Sequence, residues 1–271
     1  MVNFVSKISY DMGDLISLMK ILRSPDGCPW DREQTHESIR RNMLEEAFEV
    51  AEAIDEKNDD NLLEELGDIL MQVIFHADIA EDSNRFNFND IADATCKKLI
   101  RRHPHVFSDV DVKDGEESLL VWDDIKRQEK NHQTVTDSMN SVAQSLPALW
   151  RAEKIQAKAA KVGFDWHDFS GALSSLQDEV SELNQAITSS DTTAKENNSY
   201  IEEELGDVLF SAVNVARFFK IDPERALSSS ICKFVSRFNR IEQIAKEQGK
   251  ELSDMTLDEM EKLYEIAKLE R

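Results

Sequence analysis

Residues Leu62 to Gln72 read LLEELGDILMQ, and residues Ile201 to Ser211 read IEEELGDVLFS. The pentapeptide EELGD therefore occurs twice, with Glu65 and Glu204 separated by 139 positions. On a helical wheel at ~100° per residue, Glu65 and Asp68 share a face one turn apart, and Gln72 and His76 prolong the same line. Leu62, Ile69, Met71 and Phe75 flank that stripe, and Leu66, Leu70 and Ile74 fill the far side. A helix apolar nearly all round is expected to be buried, and buried carboxylates need partners. Gly67 and Gly206 stand inside these helices, where glycine costs ~1 kcal/mol relative to alanine. The same choice made twice predicts that another backbone passes close to each.

Working outward, the echo extends along the whole chain. GCPWD at Gly27 is matched by GFDWH at Gly163, and LEEAFEVAEAI at Leu44 by QDEVSELNQAI at Gln177. KKLIRR at Lys97 pairs with CKFVSR at Cys232, and VWDDIKRQEK at Val121 with LYEIAKLER at Leu263. With EELGD, five pairs keep one order at offsets between 133 and 142, so the chain reads as a tandem duplication. The expected organisation is one helical unit over residues 1–130, a polar linker over 131–145 and a second unit over 146–271. Glu, Leu, Ala and Lys are plentiful while glycine and proline are few, which predicts an all-α fold of four to five helices per unit. Pro104 must end a helix, Asp222-Pro223 should start one, and Thr256-x-x-Glu259 should cap the last.

Most of the 54 acids need no explanation beyond solvation. Glu46 is different, because it sits among Met43, Val50 and Ala53, with Glu49 one turn away. The second unit carries Glu179 and Glu182 at the matching positions, then Glu204 and Asp207. Two such helices side by side would face four carboxylates across a narrow gap with no Lys or Arg in the motif cores. Divalent cations are the natural partners, and hard oxygen ligands without cysteine favour Mg²⁺, or Mn²⁺ as a substitute. Mg²⁺ is usually shared with substrate phosphates, so a phosphate-bearing substrate and an activated water are expected.

Cations and rings at helical spacing complete the pattern. Lys98 and Arg102 are four apart, as are Lys233 and Arg237, while Trp122 with Lys126 is repeated by Tyr264 with Lys268. Charge-assisted bonds to phosphate and stacking on a base would use these residue types.

The totals exclude several classes. A formal net charge of −22 with no basic block argues against nucleic-acid polymers and anionic membranes as partners. Cys28, Cys96 and Cys232 form neither a CxxC pair nor a disulfide framework. Asp11 and Asp14 stand where a signal peptide would carry its apolar core, and no run approaches the ~20 apolar residues of a membrane span. A cytoplasmic protein is expected.

EExxE followed on the next helix by ExxD is similar to the signature of the all-α nucleoside triphosphate pyrophosphohydrolases. The tandem arrangement with GCPWD and RRHPHVF resembles the MazG family among them, over nearly the whole chain. That resemblance implies a helical bundle that forms a homodimer, needs Mg²⁺, and converts a nucleoside triphosphate to the monophosphate plus pyrophosphate. It implies metal ligands at Glu46, Glu49, Glu65 and Asp68, and again at Glu179, Glu182, Glu204 and Asp207. Lys233, Arg237, Tyr264 and Lys268 would be the substrate side of the second unit, matched by Lys98, Arg102, Trp122 and Lys126 in the first. Two departures stand out. The second unit reads DExxE through Asp178, and lysines that relatives can carry before the motifs are replaced by Asn42, Asn61, Ser175 and Tyr200. Glu45 and Glu203 are candidates for the general base by adjacency alone. Two rival readings remain open from the residues: a non-catalytic helical dimerisation module, and a di-iron carboxylate bundle built on Glu33-x-x-His36 and Glu129-x-x-His132.

Overall fold

The computed structural model describes residues 4–129, 133–188 and 194–269, and every regular element among them is helical. The chain divides into two compact units, residues 1–129 and 130–271. The first holds α1 (Met12–Arg23), α2 (Pro29–Glu33), α3 (Arg40–Glu56), α4 (Asp59–Asp82), α5 (Phe88–Arg102), α6 (Pro104–Phe107) and α7 (Gly115–Glu129). The second holds α8 (Val135–Asn140), α9 (Ala148–Ala160), α10 (Phe169–Thr188), α11 (Ala194–Phe218), α12 (Pro223–Glu247) and α13 (Leu257–Leu269). Part of the stretch expected as linker is thus the short helix α8, capped by Thr134 and packed on α9.

Helix boundaries follow local chemistry. α5 stops at Arg102 because His103 is followed by Pro104, which opens α6 instead. Asp222 accepts from the Arg225 amide with Pro223 at the first helical position. Thr256 and Glu259 bond reciprocally at the start of α13.

In the first unit the core is built on Met19, Ile39, Ile74, Phe75 and Ile79, where α1 crosses the C-terminal half of α4. In the second, Ile241, Ile244, Ala245, Met255 and Leu263 join α12 to α13. The expectation of a fully buried α4 is corrected here. Its second half is buried from Gln72 to Ala80 save Val73 and His76, but Leu63 is 76% exposed and Leu66 50%. A wheel reveals where apolar residues point, not whether anything covers them. The glycine expectation is corrected too. A Cβ built on Gly67 or Gly206 meets nothing within 4 Å, so no backbone crowds either position within the described residues.

Candidate active site

α3 and α4 form an antiparallel hairpin whose turn is made by Lys57, in the left-handed conformation at φ 57°, and by Asn58, which caps α4. The turn sets the register of the acids. Glu49 lies eight residues before Lys57 and Glu65 eight after it, while Glu46 and Asp68 lie eleven residues away on either side. Each carboxylate is therefore brought level with one on the facing helix. Ligand oxygens of Glu46, Glu49 and Glu65 lie within 4.8 Å of one another.

In the second unit α10 packs along α11, and Glu179, Glu204 and Asp207 form the corresponding group within 4.8 Å. Three of the four expected acids converge in each unit. The fourth, Asp68 or Glu182, stays in electrostatic reach. Burial chiefly, then the Asp68 and Glu49 charges, pushes the Glu46 carboxyl up from its ordinary value. Burial followed by Glu49 does the same to Glu65, and burial followed by Asp207, Glu182 and Glu204 to Glu179. Like charges are thus held together at a cost that a bound cation would relieve. The donor set of carboxylate oxygens fits Mg²⁺ or Mn²⁺ by its chemistry.

The two sites differ in detail. Glu204 is 6% exposed, whereas its counterpart Glu65 is half-buried. Tyr200, standing where relatives can carry lysine, makes a hydrogen bond to Glu204 that raises the phenol pKa. Sequence reading had treated Tyr200 as a loss; its spacing of four from Glu204 was the available signal. Glu45, one candidate base, is held by Arg41 at 2.7 Å.

The cation–ring groups form as the spacing predicts. In the first unit Arg102 and Lys126 lie 4.9 and 4.7 Å from the Trp122 ring centroid. In the second, Arg237 and Lys268 lie 5.7 and 5.0 Å from Tyr264. Lys98 and Lys233 stand one turn before Arg102 on α5 and before Arg237 on α12. A feature of the first unit that sequence reading missed is Glu129, which binds Arg101 and Arg102 together, each at 2.5 Å. Lys268 instead meets Glu265, its neighbour on α13, at 2.5 Å.

The same contacts weigh against the iron-bundle reading. Glu129 is committed to two arginines, and His36 pairs through Nδ1 with His76 Nδ1 at 2.8 Å while its Nε2 meets Arg85. His132 lies outside the described residues.

A model of the MazG nucleotide pyrophosphohydrolase domain matches residues 34–107 and again 169–242, which are the segments carrying the two acid quartets. The chain belongs to the MazG family. It is 43% identical to the Thermotoga maritima nucleoside triphosphate pyrophosphohydrolase/pyrophosphatase MazG, across 94% of each chain. It is 40% identical to the Escherichia coli K12 nucleoside triphosphate pyrophosphohydrolase, across 94% of this chain and 95% of that one. The uncharacterised Bacillus subtilis protein YabN is 47% identical over 93% of this chain, which spans 50% of YabN. MazG membership agrees with the all-α duplication, each matched segment holding one carboxylate hairpin. No helix among the described residues is long and apolar enough to cross a membrane.

Proposed function

We propose that this protein hydrolyses nucleoside triphosphates at the α-phosphorus, releasing the nucleoside monophosphate and pyrophosphate, in nucleotide-pool house-cleaning. The observation that carries this reading is the convergence of three carboxylates in each MazG-matched segment, with cation–ring clusters on other helices of the same units. Glu46, Glu49, Glu65 and Asp68, and Glu179, Glu182, Glu204 and Asp207, are the residues that would hold Mg²⁺ or Mn²⁺. Bound there, the ion would neutralise triphosphate charge and make an attacking water more acidic.

The chain's own groups account for the remainder. Lys98, Arg102 and Lys126, or Lys233, Arg237 and Lys268, bind phosphate oxygens and balance the charge that develops on departing pyrophosphate. Trp122 or Tyr264 orients the nucleotide beside them. Water forms the new P–O bond, the α–β bridging bond breaks, and the water proton passes to a carboxylate or to solvent. A homodimer is proposed because Leu63 and Leu66 on α4 and Leu205 and Leu209 on α11 leave apolar surface uncovered. A cytoplasmic location is inferred from the three free cysteines and the strong negative charge.

The test is ³¹P NMR of the purified protein with a dNTP, Mg²⁺ and ¹⁸O-water. Pyrophosphate with label in the monophosphate is expected. Orthophosphate with dNDP would sink the reading.

A further inference from the structure

The second unit contains a cavity of about 440 Å³ against α9, within the ~300–1,000 Å³ typical of small-molecule sites. Its walls are mostly apolar: Ala159 from α9, Phe164 and Trp166 from the loop that follows, and Phe210 from α11. Three features make it more than a packing gap.

The first is Gln156, which lines the cavity and is only 7% exposed. Its Nε2 donates to the Phe210 carbonyl at 2.8 Å. A carbonyl can only accept, so the amide orientation is fixed and Oε1 is the atom left over. That oxygen is buried and has no partner. Buried acceptors are nearly always satisfied, so the site is built for a ligand that donates.

The second is position. Phe210, Asn214 and Arg217 follow Asp207 at +3, +7 and +10, within one ~80° sector of α11 at 3.6 residues per turn. At ~1.5 Å rise per residue the cavity residues begin ~4.5 Å beyond Asp207 along the axis and reach Asn214 at ~10 Å. Trp166 packs against Gly171 on α10, the helix bearing Glu179, where an added Cβ would come within 2.8 Å of the indole. The cavity therefore continues the stripe that carries the acids.

The third is the contrast with the first unit. Counting from the paired Gly27 and Gly163, Ala159 matches Arg23. Arg23 is buried, lies 5.3 Å from the Phe75 ring centroid and donates to Asp78 at 2.8 Å. Phe75 and Asp78 match Asn214 and Arg217 at the EELGD offset. A guanidinium thus occupies in one unit the place that a methyl group leaves open in the other. The charge of Arg217 is answered by Asp165 and Asn214, so the opening is neutral as well as apolar.

We propose that this cavity receives the base of the nucleoside triphosphate, stacked among Phe164, Trp166 and Phe210 and donating an exocyclic amine or ring N–H to Gln156 Oε1. The inference rests on the proposed function for the identity of its ligand.

The test is calorimetric binding of each dNMP and of inorganic pyrophosphate to the full chain, with pyrophosphate release measured in parallel. Wild type is compared with Ala159→Leu, which fills the cavity, and Gln156→Leu, which removes the acceptor. Ala159→Leu should weaken dNMP binding at least tenfold and leave pyrophosphate binding within twofold. Gln156→Leu should weaken dNMP binding roughly tenfold, as expected for an unmade buried hydrogen bond. Equal losses for dNMP and pyrophosphate, or no loss in either variant, would overturn the assignment. So would failure of the wild type to bind any dNMP. Failure of turnover with dNMP binding intact and cavity-dependent would instead sink the proposed function and leave the cavity assigned.

Discussion

In the first unit an arginine on α1 reaches across to a carboxylate on α4; in the second the arginine is on the α4-equivalent helix and reaches back to a loop. Arg23 donates to Asp78, to Asp82 and to the Asp31 carbonyl, whereas Arg217 on α11 meets Asp165 and Asn214. The second contrast lies at the cation–ring end, where Glu129 takes both Arg101 and Arg102 in the first unit. At the matching place, position 271, the second unit has arginine. Both differences point one way. After duplication, the first unit turned its polar groups on one another and became better satisfied internally, while the second kept an open cavity and left its phosphate-side arginine without that acid.

The largest expected effect tests that asymmetry directly. Glu204→Gln should lower pyrophosphate release from dNTPs by about 10³-fold, the scale for losing a central electrostatic group in a preorganised site. Glu65→Gln should lower it less than twofold. Initial rates at saturating Mg²⁺ decide it, and equal losses would break the comparison by showing two working or coupled sites.

Stability gives the next effect. Arg23 and Asp78 are a buried pair, and burial pushes the Asp78 carboxyl up from its ordinary value against the pull of Arg23. Arg23→Ala leaves that carboxylate without its partner, which costs on the order of 3 kcal/mol. Arg217→Ala leaves the less buried Asp165 and should cost about 1 kcal/mol. Denaturant melts of the full chain should separate the two. Equal losses would mean the inverted pairs are energetically equivalent.

Much of this molecule was legible before any coordinates. The duplication, the stop at Pro104, the caps at Asp222 and Thr256 and the grouping of the acids all follow from residues close in sequence or from helical periodicity. What escaped depends on packing between distant residues. Glu129 reaches Arg102 only because α7 lies against α5, and nothing in VWDDIKRQEK singles out its second glutamate. The cavity follows from an alanine, a residue that carries no signal until its counterpart Arg23 is seen filling the same place. The buried-helix expectation failed because periodicity reports an apolar face without saying what covers it.

Glu129 also sharpens the comparison through pH. The Arg102 and Arg101 guanidinium groups hold its carboxyl down to about 2, against an ordinary 4.5. A depressed folded-state pKa means the stabilisation is fully present above pH 4.5 and is lost as pH falls from there through about 2. Glu129→Gln should therefore flatten the acid limb of the stability curve in that window. At neutral pH, in the Glu204→Gln background, it should tighten dNTP binding to the first unit several-fold by releasing Arg102. Unchanged binding would show that Glu129 is not what holds the first unit back.

The smallest effect concerns the one feature both units share without a visible reason. Gly67 and Gly206 stand at the same motif position with open space around each, so nothing inside the chain requires either. If helix propensity alone operates, alanine at each should stabilise its unit by about 1 kcal/mol. Measured in dilute solution, where the chain is monomeric, both substitutions should raise the denaturation midpoint by similar amounts. Measured at high concentration, they should instead lower it if a second copy approaches those backbones through the adjoining Leu63, Leu66, Leu205 and Leu209 surface. A gain at every concentration would mean the glycines serve no packing purpose, and a loss confined to Gly206→Ala would extend the divergence of the two units to their outer faces.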